Sequence, residues 1–475
     1  EQRLRSSSAG RSHLLADAPV GLTAAARDPR AAAPLEAVLR ATVVVCMLLV
    51  LPLSATAQYD HAERLRIRGS NTLGARLVPA VVHTWMASLG YEDIERMERG
   101  VSTTEIRGMR DGEPLVVEIT RDGSGAGMMA LVAGNAEVAM MARPPNAAEI
   151  DAAWQLGELG SPDQEFVVAL DGLAVVVHRD NPVRALSLAQ LRDVLSGRVT
   201  DWSELGGVPG PIRVFTPTRG GELEFLHARV MEDVALTTSR QSLAVDRISA
   251  AVAGERGAIG IMGLRCPVAA LSRPLAISRG GEALLPTRIN VQSEDYPLVQ
   301  RYSLYGGQMM SALGRSFALF AVGRRAQETV AASGHIAVML RPARQQPLPA
   351  GLDEYRNVVA GAQRLPISLR FNVGSLQSMF DSRALRDLER IVAFMRLPAN
   401  ANRQATVLAF GTADPAGSLV STLVSTDRAN MVADYLQRQG VVVRRSAGLG
   451  VLRPLVAPMH PQAAYINDRV EVWVN

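Results

Sequence analysis

The chain has 475 residues, of which 48% are hydrophobic and 20% are charged, a composition typical of a globular protein with two or three domains. All 50 basic residues are arginine, yet the net charge is only +4, and the sequence contains neither a dense arginine run nor an aromatic ladder, which argues against a nucleic-acid partner. It also lacks the H-E-x-x-H and G-x-S-x-G signatures of zinc proteases and serine hydrolases.

The first feature in chain order is an export signal. Residues 38–57 combine Arg40, a short apolar core and the small-residue sequence Ala55-Thr56-Ala57, so we expect a signal peptide that is cleaved before Gln58. The apolar core is shorter than the roughly 20 residues of a membrane-spanning helix. Retention of the segment as a membrane anchor is the alternative. Residues 1–57 are therefore interpreted as leader and signal peptide.

The use of cysteine agrees with export to a bacterial periplasm. Cys46 lies in the signal segment, and no small residue precedes it in the manner of a lipoprotein site. Cys266 is then the single cysteine of the mature chain, so neither a disulfide framework nor a thiolate metal cluster is expected. We expect a periplasmic protein that has no metal and no cofactor.

Residues 58–340 are predicted to form an α/β unit, because strand patterns alternate with helix patterns. A strand pattern leads into Ser70-Asn71-Thr72, which opens a helix with apolar residues four apart. A β-rich run over 115–119 likewise leads into a Gly/Ser loop that opens a short helix. Two valine-rich runs then flank Asp171-Gly172.

The two helix-start loops predict an anion site. First-turn N–H groups of a helix lack partners within the helix, and the helix dipole favours negative charge at that end. Ser70, Thr72 and Ser124 can add hydroxyl donors, and Arg143 follows the next strand. Ordinary helix capping is the alternative for one such loop. Two loops together with an arginine favour a small anion as ligand.

The segment from about 63 to 340 resembles the phosphate-binding receptors of bacterial ABC transporters, a type 2 periplasmic-binding fold. The resemblance is carried, in order, by GSNTLGARLVPA, DGSGAGMMALVAGNAEVAMMARP, VVALDGLAVVVHRDNPVRALSLAQLRDVLSGRVTDWSELGG and PTRINVQSEDYPLVQRYSLY. It implies two α/β lobes joined by a hinge, with a phosphate-like oxyanion held in the cleft. The oxyanion-binding residues that it implies are Ser70, Asn71, Thr72, Ser124, Gly125, Arg143, Asp171 and Arg219.

The chain departs from that family at several ligand positions. Met141, Ala142 and Ala126 stand where hydroxyl or acidic residues are usual, and Arg219-Gly220-Gly221 stands in place of a Ser-Gly-Thr loop. A lost hydroxyl is a lost donor to a buried oxyanion. Arg143 and Arg219 can restore charge-assisted hydrogen bonds.

A dinucleotide site is a competing interpretation of the second loop. Gly125-x-Gly127-x-x-Ala130 follows a strand and matches a short dinucleotide-binding fingerprint, with Arg143 as a partner for a 2′-phosphate. No second half of such a fold follows, and an exported protein rarely meets NADP. The fingerprint is therefore interpreted as coincidental.

Residues 341–362 are rich in Pro, Gln and Gly and are predicted to form a linker. From 363 to 475 the predicted order of elements is β-α-β-α-β, a unit of ordinary domain size. Asp414 lies in a Pro/Gly turn. The second helix is predicted over 425–440, which puts Arg428 in its first turn.

The C-terminal unit resembles the OmpA-like domain that binds peptidoglycan, on the segments LRFNVGS, FGTADPAG, LVSTDRANMVADYLQRQGV, GLGVLRP and NDRVEVWV. The resemblance implies that Asp414 accepts hydrogen bonds from the ammonium group of diaminopimelate, and that the planar fork of Arg428 binds its carboxylate. Ser421 stands where asparagine is usual, and Asn467-Asp468-Arg469 stands for a closing Asn-Arg-Arg. The implied peptidoglycan-binding residues are Asp414, Arg428, Ser421 and Arg469.

The sequence thus predicts a two-lobed type 2 periplasmic-binding-protein fold of the α/β class, followed by an α+β OmpA-like domain. We expect a non-enzymatic protein of the cell envelope that binds a phosphate-like oxyanion, works with an ABC permease, and is tethered non-covalently to peptidoglycan at the cell wall or outer membrane. Two alternatives stay open. One is a structural wall protein whose binding domain is degenerate and mediates protein contacts. The other is a periplasmic enzyme that uses the cleft, although the sequence offers no nucleophile–base pair.

Overall fold

The structure is a computed structural model that describes residues 62–343, 351–372 and 379–475. The predicted signal peptide, with Cys46 and the cleavage site before Gln58, lies outside these residues. Within the described part of the chain, none of the helices combines the length and the hydropathy that a membrane-spanning segment requires. The residues from Ala62 to Asn475 group into one compact unit.

The described strands are, in chain order, β1 (Glu63–Gly69), β2 (Glu92–Glu98), β3 (Thr103–Arg110), β4 (Glu113–Arg121), β5 (Val138–Met141), β6 (Glu165–His178), β7 (Ala185–Ser187), β8 (Arg213–Pro217), β9 (Gln241–Leu243), β10 (Ala258–Gly263), β11 (Ser272–Pro274), β12 (Ala276–Ser278), β13 (Val299–Tyr305), β14 (Gln363–Arg364), β15 (Leu369–Arg370), β16 (Ala405–Phe410), β17 (Val443–Gly448) and β18 (Arg469–Val474).

The described α-helices are α1 (Val78–Ser88), α2 (Ser124–Val132), α3 (Ala147–Ala152), α4 (Leu188–Ser196), α5 (Gly221–Leu226), α6 (Ile248–Gly254), α7 (Arg288–Gln292), α8 (Ala312–Val322), α9 (Arg324–Ala332), α10 (Asp353–Val358), α11 (Ser382–Met395), α12 (Ser418–Arg438) and α13 (Ala463–Asn467). A π-helical turn over Leu73–Leu77 leads into α1, and another over His227–Met231 continues α5. Short 3-10 turns cover Trp154–Leu156, Trp202–Leu205, Val245–Arg247 and Pro398–Asn400.

A mixed sheet forms the first of two α/β lobes. Its strand order is β2-β3-β4-β1-β5-β13-β6, in which β1 runs parallel to β4 and β5 and the other neighbours are antiparallel. The apolar residues predicted on one face of the first helix are all buried against it, namely Leu73, Leu77, Val81 and Trp85. Burying such side chains contributes roughly 1.5–3 kcal/mol each, so this face fixes the helix to the sheet.

A second sheet forms the other lobe, in the order β6-β10-β8-β9, with β11 paired to the end of β6. Helix α6 packs on it through Ile248 and Val252, which are buried with Phe215 and Met262. The two sheets and their helices confirm the predicted two-lobed α/β architecture for this part of the chain.

The lobes share the long strand β6, in which all 14 residues are buried. Its first half pairs with β13 as far as Gly172, and from Leu173 onward it pairs with β10 instead. The two predicted valine-rich runs are therefore one continuous strand, and Asp171 lies where that strand passes from one lobe to the other. Gly172 is required there, because a Cβ atom would lie 2.0 Å from Leu298 O.

The C-terminal unit has a sheet in the order β14-β18-β16-β17, with β15 also paired to β18. β16 is parallel to β17 and antiparallel to β18, and α11 and α12 follow β15 and β16 in the chain. The predicted alternation of strands and helices is present. The strand Val443–Gly448 was not predicted, because it lies at the sheet edge and its partly exposed residues lack an alternating apolar pattern.

Helix α12 begins at Ser418, well before the predicted start at 425, so the prediction that Arg428 lies in a first helical turn is wrong. The residue before the helix is Gly417, whose φ of 112° ends the preceding turn. Ser425 and Thr426 resemble a cap in the sequence, but both hydroxyls donate to Thr422 O inside the helix. The helix N-terminus therefore lies close in sequence to Asp414 rather than beside Arg428.

The described part of the predicted linker contains α10, which packs on the C-terminal sheet. Its Tyr355 is fully buried and contacts Phe410 and Trp473 edge-on, with 5.8 and 5.9 Å between ring centroids. Tyr355 Oη also donates to Glu471 Oε2 at 2.6 Å. This end of the segment is therefore bound to the C-terminal unit.

The C-terminal unit contacts both lobes. Leu455 and Val456 are buried in the core of the second lobe. On the other side, Ser382 donates to Glu165 in the first lobe, and Asn372 Nδ2 donates to Glu158 Oε1 at 3.0 Å. The C-terminal unit thus bridges the two lobes.

Candidate functional site

Two helices, α2 in the first lobe and α5 in the second, begin without a side-chain cap. The residues before α2 and α5 are Gly123 and Gly220, with φ of 96° and 102°, and neither helix start receives a side-chain hydrogen bond. Glycine is favoured at both positions because these φ angles are strained for other residues. The N–H groups that precede the first main-chain hydrogen bond of each helix, from Gly127 N to Gly123 O in α2 and from Leu223 N to Gly220 O in α5, therefore remain available to a ligand.

The starts of the first-lobe and second-lobe helices approach each other. A Cβ atom on Gly221 would lie 3.7 Å from Thr72 Oγ1. Thr72 belongs to the loop that leads into α1, and Gly221 is the first residue of α5. The structure thus brings the predicted residue Thr72 next to the start of α5, beside the predicted residue Arg219.

The predicted serines are bound to backbone groups in a way that leaves their protons available. Ser70 Oγ accepts from Leu73 N at 3.3 Å, and Ser124 Oγ accepts from Ala142 N at 3.1 Å. A hydroxyl that accepts one hydrogen bond still has its own proton to donate. Ser70 is only 3% exposed, however, so Ser124 is the more accessible of the two donors.

Asn71 and Arg219 lie at exposed positions. Neither side chain forms a hydrogen bond or an ion pair with another residue that the structure describes. Arg219 lies just before the start of α5, close in sequence to Gly221. Both side chains can therefore move toward a ligand without breaking a hydrogen bond or an ion pair within the described part of the protein.

Arg143 is held by an acidic residue that the sequence analysis missed. Its Nη1 and Nη2 donate to the two carboxylate oxygens of Glu149, each at 2.7 Å. This hydrogen bonding raises the pKa of Arg143 and lowers the pKa of Glu149. Glu149 also completes a capping box with Asn146, an N-x-x-E signal that is visible in the sequence. Arg143 is therefore already neutralised.

The Arg143–Glu149 pair lies directly beside the start of α2. A Cβ atom on Gly125 would lie 3.1 Å from Glu149 Oε1 and 3.5 Å from Arg143 Nη2. The predicted residue Gly125 thus leaves room for this ion pair, and the carboxylate adds negative charge at a helix N-terminus that would otherwise favour an anion.

Asp171 is a hinge residue that already has partners. Its carboxylate accepts from Gly172 N at 2.9 Å and from Tyr302 Oη at 2.6 Å, and Arg265 Nη2 lies 3.4 Å away. Burial and the Asp171 charge raise the pKa of Tyr302, which keeps that phenol protonated as a donor. The sequence analysis missed Tyr302 and Arg265, because both come from segments distant in the chain.

In the C-terminal unit, the predicted residues Asp414 and Ser421 build one turn. Asp414 is exposed, and its Oδ1 accepts from Ala416 N at 2.7 Å. Ser421 Oγ accepts from Asp414 N at 3.1 Å and donates to Thr412 O at 2.9 Å. Ser421 is only 3% exposed, so it positions the turn that presents Asp414.

Arg428 has an internal partner. Its Nη1 lies 2.7 Å from Asp468 Oδ2, without the alignment of a hydrogen bond, and its guanidinium lies 4.8 Å from the centre of the Phe371 ring. Asp468 Oδ1 in turn accepts from Thr412 N at 2.6 Å. A carboxylate of the protein therefore lies against the arginine that was predicted to bind a ligand carboxylate.

Arg469 has no exposed surface. Its guanidinium lies 4.2 Å from the centre of the Phe410 ring, and Nη1 donates to Asn467 O at 3.3 Å. Burial lowers its pKa to about 10, although the nearby Glu471 opposes that effect. In this conformation Arg469 does not reach a ligand outside the domain.

The described residues contain no group of three or more His, Cys, Asp or Glu side chains that could hold a metal ion. Cys266 is a free thiol whose pKa is raised by burial and by the charge of Glu222. A raised pKa makes the thiolate scarce at neutral pH, so this cysteine is poorly suited to nucleophilic chemistry.

Residues 104–325 match the family profile of a PBP superfamily domain. A 96-residue segment, 20% of this chain and 30% of the relative, is 32% identical to phosphate-binding protein PstS 2 of Streptococcus pneumoniae. Over 218 residues, 43% of this chain and 64% of the relative, the protein is 26% identical to protein SphX of Synechococcus elongatus. The solved structure of an ABC-type phosphate transport receptor from Vibrio cholerae aligns over 58% of this chain and 99% of that one, with 18% identity and a TM-score of 0.45.

The chain spans less than two thirds of the length of these two curated relatives. Phosphate-binding proteins such as PstS 2 are not enzymes, which confirms the expectation of a non-enzymatic domain. Residues 104–325 therefore match a PBP superfamily domain, and the chain is similar to phosphate-binding proteins.

Proposed function

We propose that the two lobes bind a small phosphate-like oxyanion between them. The observation that carries this proposal is the approach of Thr72 to the start of α5, where a Cβ on Gly221 would lie 3.7 Å from Thr72 Oγ1. An oxyanion at that point would meet a hydroxyl from one lobe and first-turn N–H groups from the other. Such a set of donors suits a tetrahedral anion. The names of the relatives support phosphate as the ligand to test first.

Of the other residues predicted to bind the oxyanion, some have free donors and one is already bound by another side chain. Ser124 and Arg219 are available, as is the uncapped start of α2. Arg143 is occupied by Glu149. We therefore expect that hydroxyl and main-chain donors, with Arg219, supply most of the affinity, and that Arg143 contributes only when Glu149 releases it.

For the C-terminal unit we propose a tether to peptidoglycan. The support is the sequence resemblance to OmpA-like domains, the exposed carboxylate of Asp414, and the Phe371 ring that holds Arg428 near the surface. A ligand carboxylate would displace Asp468 from Arg428. With a signal peptide removed before Gln58, this tether would hold the receptor in the periplasm at the cell wall or outer membrane, where an ABC permease would receive its ligand.

A structural role is the second candidate function. Two observations favour it: the C-terminal unit bridges both lobes, and the cations Arg143 and Arg428 are each paired with a carboxylate of the protein. In this alternative the lobes bind no solute and serve contacts with other envelope proteins, while the C-terminal unit still attaches to the wall.

Equilibrium dialysis of the purified protein against radiolabelled phosphate, with sulfate as competitor, tests the receptor proposal. Thr72→Val removes a hydroxyl and keeps the shape of the side chain, so we expect the affinity to fall about tenfold. Thr84→Val makes the same change on α1 at a hydroxyl that donates to Ala80 O, and should leave the affinity unchanged. If the parent protein binds no oxyanion, the receptor proposal fails and the structural alternative stands.

Sedimentation of the purified protein with peptidoglycan that contains diaminopimelate tests the tether. Asp414→Ala should reduce binding because the ligand ammonium loses its acceptor. Arg428→Lys should also reduce it, because a point charge does not reproduce the guanidinium fork. Arg438→Lys, an exposed change at the end of the same helix, is the matched control. Full binding by both variants would rule out these two residues as the contact.

A further inference from the structure

A pair of arginines at the junction between the second lobe and the C-terminal unit has no acidic partner. Arg279 follows β12, and its Nη2 donates to Pro297 O at 2.6 Å. Arg229 lies in the π-helical turn after α5, and its Nε lies 3.5 Å from the same carbonyl oxygen. Both residues are partly buried, and neither forms an ion pair with a carboxylate of the described residues. Two like charges therefore converge on one oxygen atom.

The carboxylates whose charge acts on these two arginines are already bound by other arginines. Glu232, the acidic neighbour of Arg229, pairs with Arg192 at 2.6 Å. The acidic neighbours of Arg279 are Asp295 and Glu294. Asp295 pairs with Arg364 at 2.7 Å and with Arg370 at 3.0 Å, and Glu294 pairs with Arg301 at 2.8 Å and with Arg383 at 2.5 Å. The positive charge of Arg229 and Arg279 is thus not balanced locally by the protein.

The donors of Arg279 are also largely unused. A guanidinium has five N–H groups, and Arg279 forms one hydrogen bond, while its Nε is buried without a partner. Arg273 on β11 also lacks a carboxylate and also has a buried Nε without a partner, but it uses more of its donors. Its Nη2 donates to the carbonyls of Asn181 and Val183, and its Nη1 donates to that of Pro274. A desolvated cation with unused donors is costly unless an anion joins it.

The C-terminal unit adds a third donor at this junction. His460 Nδ1 accepts from Gln462 N at 3.1 Å, so the neutral ring carries its proton on Nε2, where it can donate. Ala457 N donates to Arg279 O at 3.3 Å, which fastens the loop that carries His460 beside the arginines. Burial, followed by the charges of Arg279 and Arg229, lowers the pKa of His460, in agreement with their proximity.

We propose that Arg229, Arg279 and His460 form a second oxyanion site, which takes inorganic phosphate or sulfate and joins the second lobe to the C-terminal unit. Two guanidinium groups and one imidazole N–H supply the charge and the donors that a tetrahedral dianion requires. The site shares no residue with the proposed cleft site near Thr72. Its ligand has a structural role, because it balances charge between two parts of the fold.

Stability measured against sulfate concentration tests this proposal in the full-length protein. Without sulfate, Arg279→Met should raise the unfolding temperature above that of the parent, because it removes one of two unbalanced charges. With rising sulfate the parent should gain stability and overtake the variant, since only the parent keeps the full site. Arg273→Met, the matched control, should follow the parent in its response to sulfate. Sodium chloride at the same ionic strength separates specific binding from charge screening.

A second measurement separates this site from the cleft. Equilibrium dialysis with radiolabelled sulfate is done in the Thr72→Val background, in which the cleft site is weakened. There, adding Arg279→Met or Arg229→Met should raise the remaining Kd about tenfold or more. The proposal is overturned if Arg279→Met lowers the unfolding temperature equally at every sulfate concentration, which would make Arg279 a simple carbonyl cap. It is also overturned if the arginine variants in that background bind sulfate as Thr72→Val alone does. Loss of phosphate binding by Thr72→Val alone affects the cleft proposal and leaves this one intact.

Discussion

The carboxylate of Asp468 competes with any ligand carboxylate for Arg428. Arg428 has the guanidinium and the aromatic support that a carboxylate ligand needs, but the Asp468 carboxylate lies 2.7 Å from Nη1. Glu149 holds Arg143 in a similar way in the first lobe. In both places a single acidic residue sets the charge that a ligand would meet, so these acids are the residues to change first.

Asp468→Asn should increase binding to peptidoglycan. The amide keeps an oxygen that can accept from Thr412 N but loses the charge that competes for Arg428. We expect the amount sedimented at a fixed peptidoglycan concentration to rise, with an affinity gain of about tenfold. Asp434→Asn, an exposed change on α12, controls for the change in net charge. Weaker binding by Asp468→Asn would mean that Asp468 takes part in the contact itself.

The sequence identifies several of these residues, but it does not show which side chains they pair with in the folded protein. Thr72, Ser124 and Asp414 follow from loop chemistry and motif. The pairing of Arg428 with Asp468 is not predictable in the same way, because it depends on how α12 and the turn before β18 meet in space. The pairing of Arg143 with Glu149 was visible in part, since the sequence of the capping box places a glutamate after Arg143.

At the scale of elements, the start of α2 is held in place by a close approach to β1. A Cβ atom on Gly127 would lie 2.5 Å from both Arg68 O and Gly69 Cα. Only glycine permits this contact between helix and strand, and the contact sets where Ser124 and the uncapped N–H groups point. The glycines that resemble a dinucleotide fingerprint thus serve packing and an ion pair in this fold.

Gly127→Ala should destabilise the protein by about 1–3 kcal/mol, because the added methyl group forces the helix away from β1. It should also weaken phosphate binding, since the first turn of α2 moves. Urea unfolding followed by circular dichroism measures the first effect and dialysis the second. The control is Gly254→Ala in α6, where a Cβ meets nothing within 4 Å. Equal stability of Gly127→Ala and Gly254→Ala would show that the close contact between α2 and β1 does not require glycine.

The helix boundaries show where the sequence patterns were sufficient to predict the secondary structure. The first helix was predicted correctly because four apolar residues at helical spacing are all buried. The start of α12 was predicted wrongly because Ser425 and Thr426 bond back to Thr422 O rather than cap a helix. A hydroxyl in the sequence does not reveal which of these two partners it takes.

At the scale of the whole molecule, a buried ion network holds the C-terminal unit on the connection between the lobes. Arg301 of β13 donates to Glu294 at 2.8 Å and to Asp381 at 2.7 Å, and Arg383 of α11 donates to Glu294 at 2.5 Å. Asp295 pairs with Arg364 and lies beside Glu294. These partners come from distant parts of the chain, so no local sequence pattern predicts the network.

Glu294→Gln tests the energetic role of this network. Burial raises the pKa of Glu294, but Arg301 and Arg383 outweigh it and lower the pKa to about 2. A depressed acid pKa contributes stability above the unfolded-state value near 4.5, and that stability is lost as pH falls toward 2. Glu294→Gln should therefore lower the free energy of unfolding by roughly 3–5 kcal/mol at pH 7. On acidification the variant should lose less of its free energy of unfolding than the parent does.

Urea unfolding at about pH 7 and about pH 3.5 measures both parts of this prediction, since the two values lie on either side of the unfolded-state pKa. The control is Glu328→Gln on α9, where an exposed pair with Arg324 contributes little at either pH. If the free energies of unfolding of the parent and of Glu294→Gln differ by the same amount at both pH values, the assigned role of Glu294 is contradicted.

The most direct test of the central claim is a crystal structure of the protein grown with arsenate, a tetrahedral analogue of phosphate whose arsenic atom gives an anomalous signal. We predict an anomalous peak within hydrogen-bond distance of Thr72 Oγ1 and of the first-turn N–H groups of α5. A crystal grown at a saturating arsenate concentration that shows no anomalous peak at that position would contradict the proposal that the lobes bind an oxyanion.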